Sequence, residues 1–418
     1  MDEKGFTASL GRNISTRDAL QKSQTYLLQN YARADLVLER GNGVYVFDND
    51  GERYLDCVSG LAVNALGHGD YDVLEVIREQ SATLIHVSNL YHTIPGALLA
   101  EQLVKKSFAD RVFFCNSGTE AIEAALKFAR RWGRTTGGDE KVQLVTTERS
   151  FHGRTMGAVS LTGQIKYQEP FHPLMPGVKT VPYNDIDAMV AAIDDTTAAV
   201  FLEPIQAEGG VHPATKEYLS AIREACDKHK ALLVFDEVQV GMGRTGTLWA
   251  HEHYGITPDI MTLAKPLGGG LPVGATLMTQ NVADAIKPGD HASTFGGGPL
   301  VTSVGLVVLE KVSDPELLQS VRENGEQFRK RLEEMRSHHA MIRDIRGRGL
   351  IWGVELDRPA AQLVAALRKR HTLACIAGPN VLRFLPPLVI SDDQLHQVAD
   401  QLNEAMTEVE AHTQQNAV

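Results

Sequence analysis

The sequence predicts an α/β protein, with a large domain around a mainly parallel central sheet flanked by helices and a smaller α+β domain behind it. Short, wholly apolar runs bounded by turn residues recur through the first three hundred residues and alternate with helical spacing, the pattern of parallel strands covered on both faces. Beyond about residue 304 this rhythm gives way to a long helix, two further strand patterns and a final capped helix. Length agrees: 418 residues exceed the size at which a single core stops growing, so two domains around a shared cleft are expected. The division read from the chain is 1–62 as an N-terminal arm and hairpin, 63–303 as the large domain and 304–418 as the small domain.

The first forty residues are mixed and polar and read as surface, with Tyr26 or Tyr31 the residues placed to reach a ligand. Residues 44–55 alternate around Asp50-Gly51, a short-range hairpin signal. Segments 73–83 and 96–107 carry helical spacing, and Arg111-Val-Phe-Phe-Cys115 reads as a buried strand. That strand runs into Asn116-Ser117-Gly118-Thr119-Glu120. A helix begins near Gly118, with Ile122, Ala125, Leu126, Ala129 and Trp132 on one face. Free N–H groups and the positive end of the dipole suit a phosphate there, although any capped helix start offers the same groups. Residues 142–202 again alternate strand and helix. Phe151-His152-Gly153-Arg154-Thr155 follows one strand pattern and Glu203-Pro204-Ile205-Gln206-Ala207-Glu208 ends another. Taken singly, Phe151 reads as core packing and Arg154 as half of a surface ion pair.

The chain is organised around residues 231–270. Two buried strand patterns, Ala231-Leu-Leu-Val-Phe-Asp236 and Asp259-Ile-Met-Thr-Leu-Ala-Lys265, end in an acid and an amine where open α/β sheets collect ligands. Alone, Asp236 could cap a helix and Lys265 could lie in solvent. Together they are what pyridoxal phosphate chemistry requires: a lysine that condenses with the aldehyde as a Schiff base, and an acid that keeps the ring nitrogen protonated. Further on, His291-Ala-Ser293-Thr294-Phe295-Gly-Gly-Gly298-Pro299 is too glycine-rich for an element interior and suits close backbone approach to a ligand or another subunit. Asp314-Pro315 opens a helix towards His338, 349–356 and 381–388 read as strands, and Ser391-Asp-Asp-Gln394 is a capping box. Residues 413–418 read as a frayed end.

A formal net charge of −11 argues against nucleic acid as a partner, and no apolar run reaches membrane-spanning length. Met-Asp-Glu-Lys-Gly-Phe at the start has no signal-like pattern, and Cys57, Cys115, Cys226 and Cys375 are scattered, so a cytoplasmic protein with reduced thiols is expected. No metal site is expected: His251-Glu252-His253 lacks the spacing of a zinc helix. Gly347-Arg-Gly349 precedes a strand pattern where a dinucleotide fingerprint would follow one.

In order and mutual spacing, seven runs resemble the class III aminotransferases of pyridoxal phosphate fold type I, and within them the acetylornithine aminotransferase group. They are Asn116-Ser-Gly-Thr-Glu-Ala, Phe151-His-Gly-Arg-Thr155, Glu203-Pro-Ile-Gln-Ala-Glu-Gly209, Asp236-Glu-Val-Gln239, Leu263-Ala-Lys265, Ser293-Thr-Phe-Gly-Gly297 and Leu382-Arg-Phe-Leu-Pro-Pro387. The likeness extends from about Tyr31 to the last helix. It implies transfer of the ω-amine of N2-acetylornithine to 2-oxoglutarate by a cytoplasmic homodimer with shared active sites, in arginine biosynthesis. Other ω-amino donors (succinyldiaminopimelate, ornithine, 4-aminobutyrate, carrier-bound lysine) or an aminomutase of the glutamate-1-semialdehyde type are the alternatives. By resemblance, Gly118 and Thr119 hold the cofactor phosphate, Phe151 and Val238 sandwich the ring, Asp236 meets its nitrogen, Gln239 lies near its hydroxyl and Lys265 anchors it. Thr294 reaches the phosphate in the neighbouring subunit and Ser293 lies beside substrate. Arg154 takes the distant substrate carboxylate. Arg383 takes the second carboxylate of 2-oxoglutarate and is covered by Glu208 while an ω-amino donor is bound. Tyr31 matches a substrate-contacting position. Ile122, Val240 and Gly298 depart from the acetylornithine pattern at positions expected to line or support the pocket.

Overall fold

Apolar runs without polar alternation form strands only where both faces are covered, and the central sheet is built from such runs. The structure, a computed structural model, describes residues 14–415, so the reading of the first residues and of 416–418 lies outside the described residues. The polar arm contains an unanticipated helix, Thr16–Tyr26, capped by Ser15, whose Oγ accepts from Asp18 N at 3.1 Å. None of its residues is buried, which is why apolar spacing gave no sign of it. β1 (Leu38–Asn42), β2 (Tyr45–Asp48) and β3 (Arg53–Asp56) follow as an antiparallel meander, and the β2–β3 pair is the expected hairpin. Asp48 Oδ1 accepts from Asp50 N at 3.0 Å and Glu52 N at 2.8 Å, which fixes its turn.

The large sheet contains β4 (Arg111–Cys115), β5 (Gln143–Thr147), β6 (Val178–Val181) and β7 (Thr197–Leu202), followed in sequence by a two-residue ladder, β8 (Ile205–Gln206) with β9 (His212–Pro213). It is completed by β10 (Leu232–Asp236), β11 (Ile260–Leu263) and β12 (Gly274–Met278), in the order β4-β12-β11-β10-β7-β5-β6. β12 runs antiparallel to both its neighbours and the other pairs are parallel, as a mainly parallel sheet requires. Every residue of β7, β10, β11 and β12 is buried. β4 corrects the expectation of a buried strand: it lies at the sheet edge, with Arg111 exposed and Val112 to Phe114 only partly covered. Helix Gly118–Gly137 lays Ile122, Ala125, Phe128 and Ala129 into the core beneath the sheet.

A second antiparallel sheet has the order β13-β14-β17-β16, from β13 (Ile342–Arg348), β14 (Ile351–Leu356), β16 (Cys375–Ile376) and β17 (Val381–Phe384). β15 (Thr372–Leu373) leaves this region to pair with β3, tying the C-terminal part to the N-terminal meander. β13 escaped sequence reading because four of its seven residues are charged. Helix Pro315–Arg336 starts at the Asp314 cap. The Ser391 box closes as expected: Gln394 Oε1 accepts from Ser391 N at 2.9 Å and Ser391 Oγ from Gln394 N at 3.3 Å. Residue 304 falls inside helix Pro299–Val312, which packs against helices Tyr71–Thr83 and Ile94–Lys105, so the 303/304 division runs through a continuous element. Cys57, Cys115 and Cys226 are buried, Cys375 is half-buried, and all four are unpaired. Among the described residues no helix is long and apolar enough to cross a membrane, and no cluster of metal-ligating side chains occurs.

Candidate active site

β10 and β11 are parallel neighbours with Asp236 opposite Thr262, so their carboxyl ends deliver Asp236 and, three residues beyond Thr262, Lys265 to one cleft. The cleft opens into a cavity of about 540 Å³ lined by Gly118, Thr119, Phe151, Arg154, Glu208, Asp236, Val238, Gln239 and Lys265. Nine predicted site residues from five separate motifs therefore meet in one place.

Asp236 is buried and held by three donors. Its Oδ1 accepts from Val238 N at 3.0 Å and Thr262 Oγ1 at 3.3 Å, and His152 Nδ1 lies 2.8 Å from its Oδ2. This is not a helix cap but a carboxylate aimed by its own turn. His152 is buried too. Burial works against its charge, yet the hydrogen bond and charge of Asp236 outweigh that and raise its pKa. Behind them Glu203 accepts from Phe151 N at 3.0 Å, and burial pushes its carboxyl up to about 8. Lys265 follows a buried strand and takes a positive φ of 26°, a conformation costly for a residue with a side chain. Burial lowers its pKa, although Glu208 and Asp236 oppose the shift.

The opposite end of the cavity is the start of helix Gly118–Gly137, capped by Ser117. A Cβ on Gly118 would lie 2.7 Å from Val238 Cγ1, so only glycine lets the helix start meet that wall. Thr119 Oγ1 accepts from Arg154 N at 3.2 Å and Thr155 N at 3.3 Å, binding loop 151–155 to the helix start. Gly153, with φ 128°, has no room for a Cβ, which would lie 2.2 Å from that hydroxyl. The donor set fits pyridoxal phosphate: helix N–H groups for the phosphate, Phe151 and Val238 as apolar walls, an oriented buried acid, and an amine of lowered pKa.

Arg383 reaches the site from β17 and is 1% exposed. Its Nη1 donates to Glu208 Oε1 at 2.8 Å, Gln239 Oε1 at 2.9 Å and Ala207 O at 3.1 Å, and its Nε lies 3.5 Å from Cys375 Sγ. Gln239 Nε2 in turn donates to Glu208 Oε1 at 3.2 Å, so both ends of an amide expected beside a ring hydroxyl are engaged by the Arg383–Glu208 pair. Burial opposes charge on Glu208, but Arg383 and Lys265 outweigh it and its carboxyl titrates below the usual range. Arg154 is not the surface ion pair its single-residue reading suggested: its guanidinium stacks 3.7 Å from the Tyr167 ring centroid and 5.5 Å from that of Phe151.

Three predicted residues lie elsewhere in this chain. Tyr31 is 67% exposed and does not line the cavity. Ser293 and Thr294 line a separate cavity that shares Asn116 with the first, and Asn116 Nδ2 donates to Ser293 Oγ at 3.2 Å. Of the three departures only Val240 lines the cavity. Ile122 belongs to the core under the sheet and Gly298 precedes helix Pro299–Val312, so neither lines this cavity. Sequence reading passed over His152 and Glu203, though both stand in motifs it quoted. Tyr167 had no local signal, because only the fold brings it over Arg154.

The family model for Aminotransferase class-III matches residues 26–406. The mitochondrial acetylornithine aminotransferase of Alnus glutinosa is 50% identical over 410 residues, covering 97% of this chain and 91% of that protein. Among solved structures, the ornithine aminotransferase of Toxoplasma gondii ME49 superposes with a TM-score of 0.92 at 32% identity, covering 96% of each chain. The N-acetylornithine aminotransferase of Stenotrophomonas maltophilia gives 0.81 at 37% identity, covering 94% of this chain and 100% of that one. With the site geometry and these likenesses together, the chain belongs to the class III aminotransferases, pyridoxal-phosphate-dependent enzymes of fold type I.

Proposed function

We propose that this protein transfers the ω-amine of N2-acetylornithine to 2-oxoglutarate, giving N-acetylglutamate 5-semialdehyde and glutamate, as a step of arginine biosynthesis. The observation that carries this reading is the pair of arginines at the site: Arg154 lines the cavity and is held by aromatic stacking, while Arg383, buried behind the cavity wall, is covered by Glu208 and Gln239. One arginine is thus ready for a carboxylate present in both half-reactions, and the other is covered until a second carboxylate arrives. The acetylornithine aminotransferases that share up to half of its residues support the donor.

In this reading the helix start at Gly118 and Thr119 receives the cofactor phosphate, Phe151 and Val238 clasp the ring, Asp236 pairs with the ring nitrogen and Gln239 lies near the ring hydroxyl. Pyridoxal phosphate, when bound, supplies an electron sink. Lys265 is its anchor, and its freed Nζ takes the proton from the amine-bearing carbon and later returns it, which its lowered pKa suits. His152 holds Asp236 Oδ2 in place. Arg154 binds the distant carboxylate bidentately.

Thr294 serves the neighbouring subunit of a homodimer. Supporting this, the segment beside it exposes Leu90, Tyr91, Ile94 and Phe295 at 66–85%, an apolar face that suits a second copy. Four unpaired cysteines suit a cytoplasmic location.

The test is a single half-reaction followed by visible absorption. The holoenzyme is expected to lose its colour on adding N2-acetylornithine without any oxoacid, faster than with ornithine or 4-aminobutyrate. Ornithine is the donor most worth comparing, since an ornithine aminotransferase superposes so closely. Indifference to acetylornithine would refute the donor assignment, and turnover without 2-oxoglutarate would point to a mutase. Glu208→Ala should uncover Arg383 and lower the preference for ω-amino over α-amino donors by about 10–100-fold, the worth of a charged hydrogen bond. Competition between acetylornithine and glutamate measures it, and an unchanged ratio would remove Glu208 from specificity.

A further inference from the structure

Glu208 faces two cavities. On one side it closes over Arg383 in the active site; on the other it lines a separate cavity whose wall carries Arg149, Lys166, His212 and Arg346 together with Glu355. The proposed function requires its carboxylate to leave Arg383 whenever Arg383 takes a substrate carboxylate. A carboxylate leaving a buried cation needs a new donor, because stranding it without one is costly.

The four basic side chains are not equivalent. Arg346 is committed: it pairs with Asp344 at 2.7 Å and with Glu355, and it donates to Gly210 O at 2.8 and 3.2 Å. Arg149 and Lys166 pair with no carboxylate among the described residues. Lys166 rests on the Tyr167 ring, 4.6 Å from its centroid. Arg149 lies against the pivot itself: a Cβ on Gly209, the residue next to Glu208, would sit 2.3 Å from Arg149 O and 3.0 Å from Arg149 Cβ. Its Nη1 is 3.5 Å from His212 Nε2. Burial, with Arg346 and Arg149 adding to it, lowers His212 to about 4, so at neutral pH the ring is uncharged and steadies the guanidinium without competing for an anion. Gly209 is packed against Arg149 and Gly210 O is bound by Arg346, which leaves rotation of the Glu208 side chain as the available motion.

We propose that the second cavity receives the Glu208 carboxylate: during the oxoacid half-reaction the side chain turns off Arg383 and pairs with Arg149, making Arg149 a specificity-determining residue. This rests on the reading of Glu208 as the cover of Arg383. Without Arg149 the carboxylate stays on Arg383 and competes with any incoming dicarboxylate.

The experiment uses holoenzyme and its Arg149→Met variant. The dissociation constant of glutarate, a dicarboxylate with no reactive carbonyl, is expected to rise about tenfold, and kcat/KM for the 2-oxoglutarate half-reaction to fall about as much, the worth of one charged hydrogen bond. The acetylornithine half-reaction should keep its rate, and Arg149→Lys should restore most of the loss. In a Glu208→Ala background, Arg149→Met should change neither quantity, since no carboxylate remains to be received. Equal losses in both half-reactions, or a glutarate effect that persists without Glu208, would overturn the proposal. Failure of the cover itself reads out separately, as an unchanged ω-to-α donor preference in Glu208→Ala alone.

Discussion

Lys265→Ala is expected to abolish turnover, with a loss of at least about 10⁴-fold in kcat, the upper range for removal of a positioned proton carrier. The fold should survive. Lys265 Nζ makes no hydrogen bond to protein among the described residues, and its pKa is lowered by burial, so removing it relieves a desolvation cost and breaks no hydrogen bond. The positive φ at this position is carried equally by alanine, so the backbone strain is unchanged. Thermal unfolding should therefore match the parent protein while both half-reactions vanish. Residual transamination within about a hundredfold of the parent, again on the scale of proton-transfer catalysis, would sink the assignment.

Asp236→Asn is the second large effect expected, a loss of about 10²–10³-fold in kcat, as when one partner of a buried charge pair is neutralised. Asparagine keeps the size and can still accept from Val238 N and Thr262 Oγ1, so the turn should hold. What disappears is the negative charge facing the cavity and the attraction that raises the His152 pKa. Because the same carboxylate serves both directions, single-turnover rates with acetylornithine and with 2-oxoglutarate should fall together. A loss confined to one half-reaction would show that Asp236 acts on substrate and would exclude the cofactor role.

Much of this site is legible along the chain because its pieces are short and local. A buried parallel strand is a run of apolar residues, and the first polar residue at or just beyond its carboxyl end lies at the ligand edge, so Asp236 and Lys265 announce themselves. The Gly118 helix start likewise shows in five consecutive residues. The strand β4 was misjudged as buried because an apolar run reads the same in the middle of a sheet and at its edge; only pairing on one side exposes it. The Thr16–Tyr26 helix and β13 were missed because neither carries apolar periodicity, one having no buried residue and the other being mostly charged.

The apolar strand runs, the acid and amine that end two of them and the phosphate-ready helix start can all be read along the chain. All of these depend on residues within a few positions of one another. Their distant partners are set by packing alone. Arg383 meets Gln239 across 144 residues and Ala207 across 176, because β17 pairs with β14 and brings its arginine over the loop that follows β7. Tyr167 under Arg154, His152 on Asp236, and Glu208 between two cavities are likewise set by packing. Periodicity records which face of an element is buried, but not which distant side chain will be buried against it.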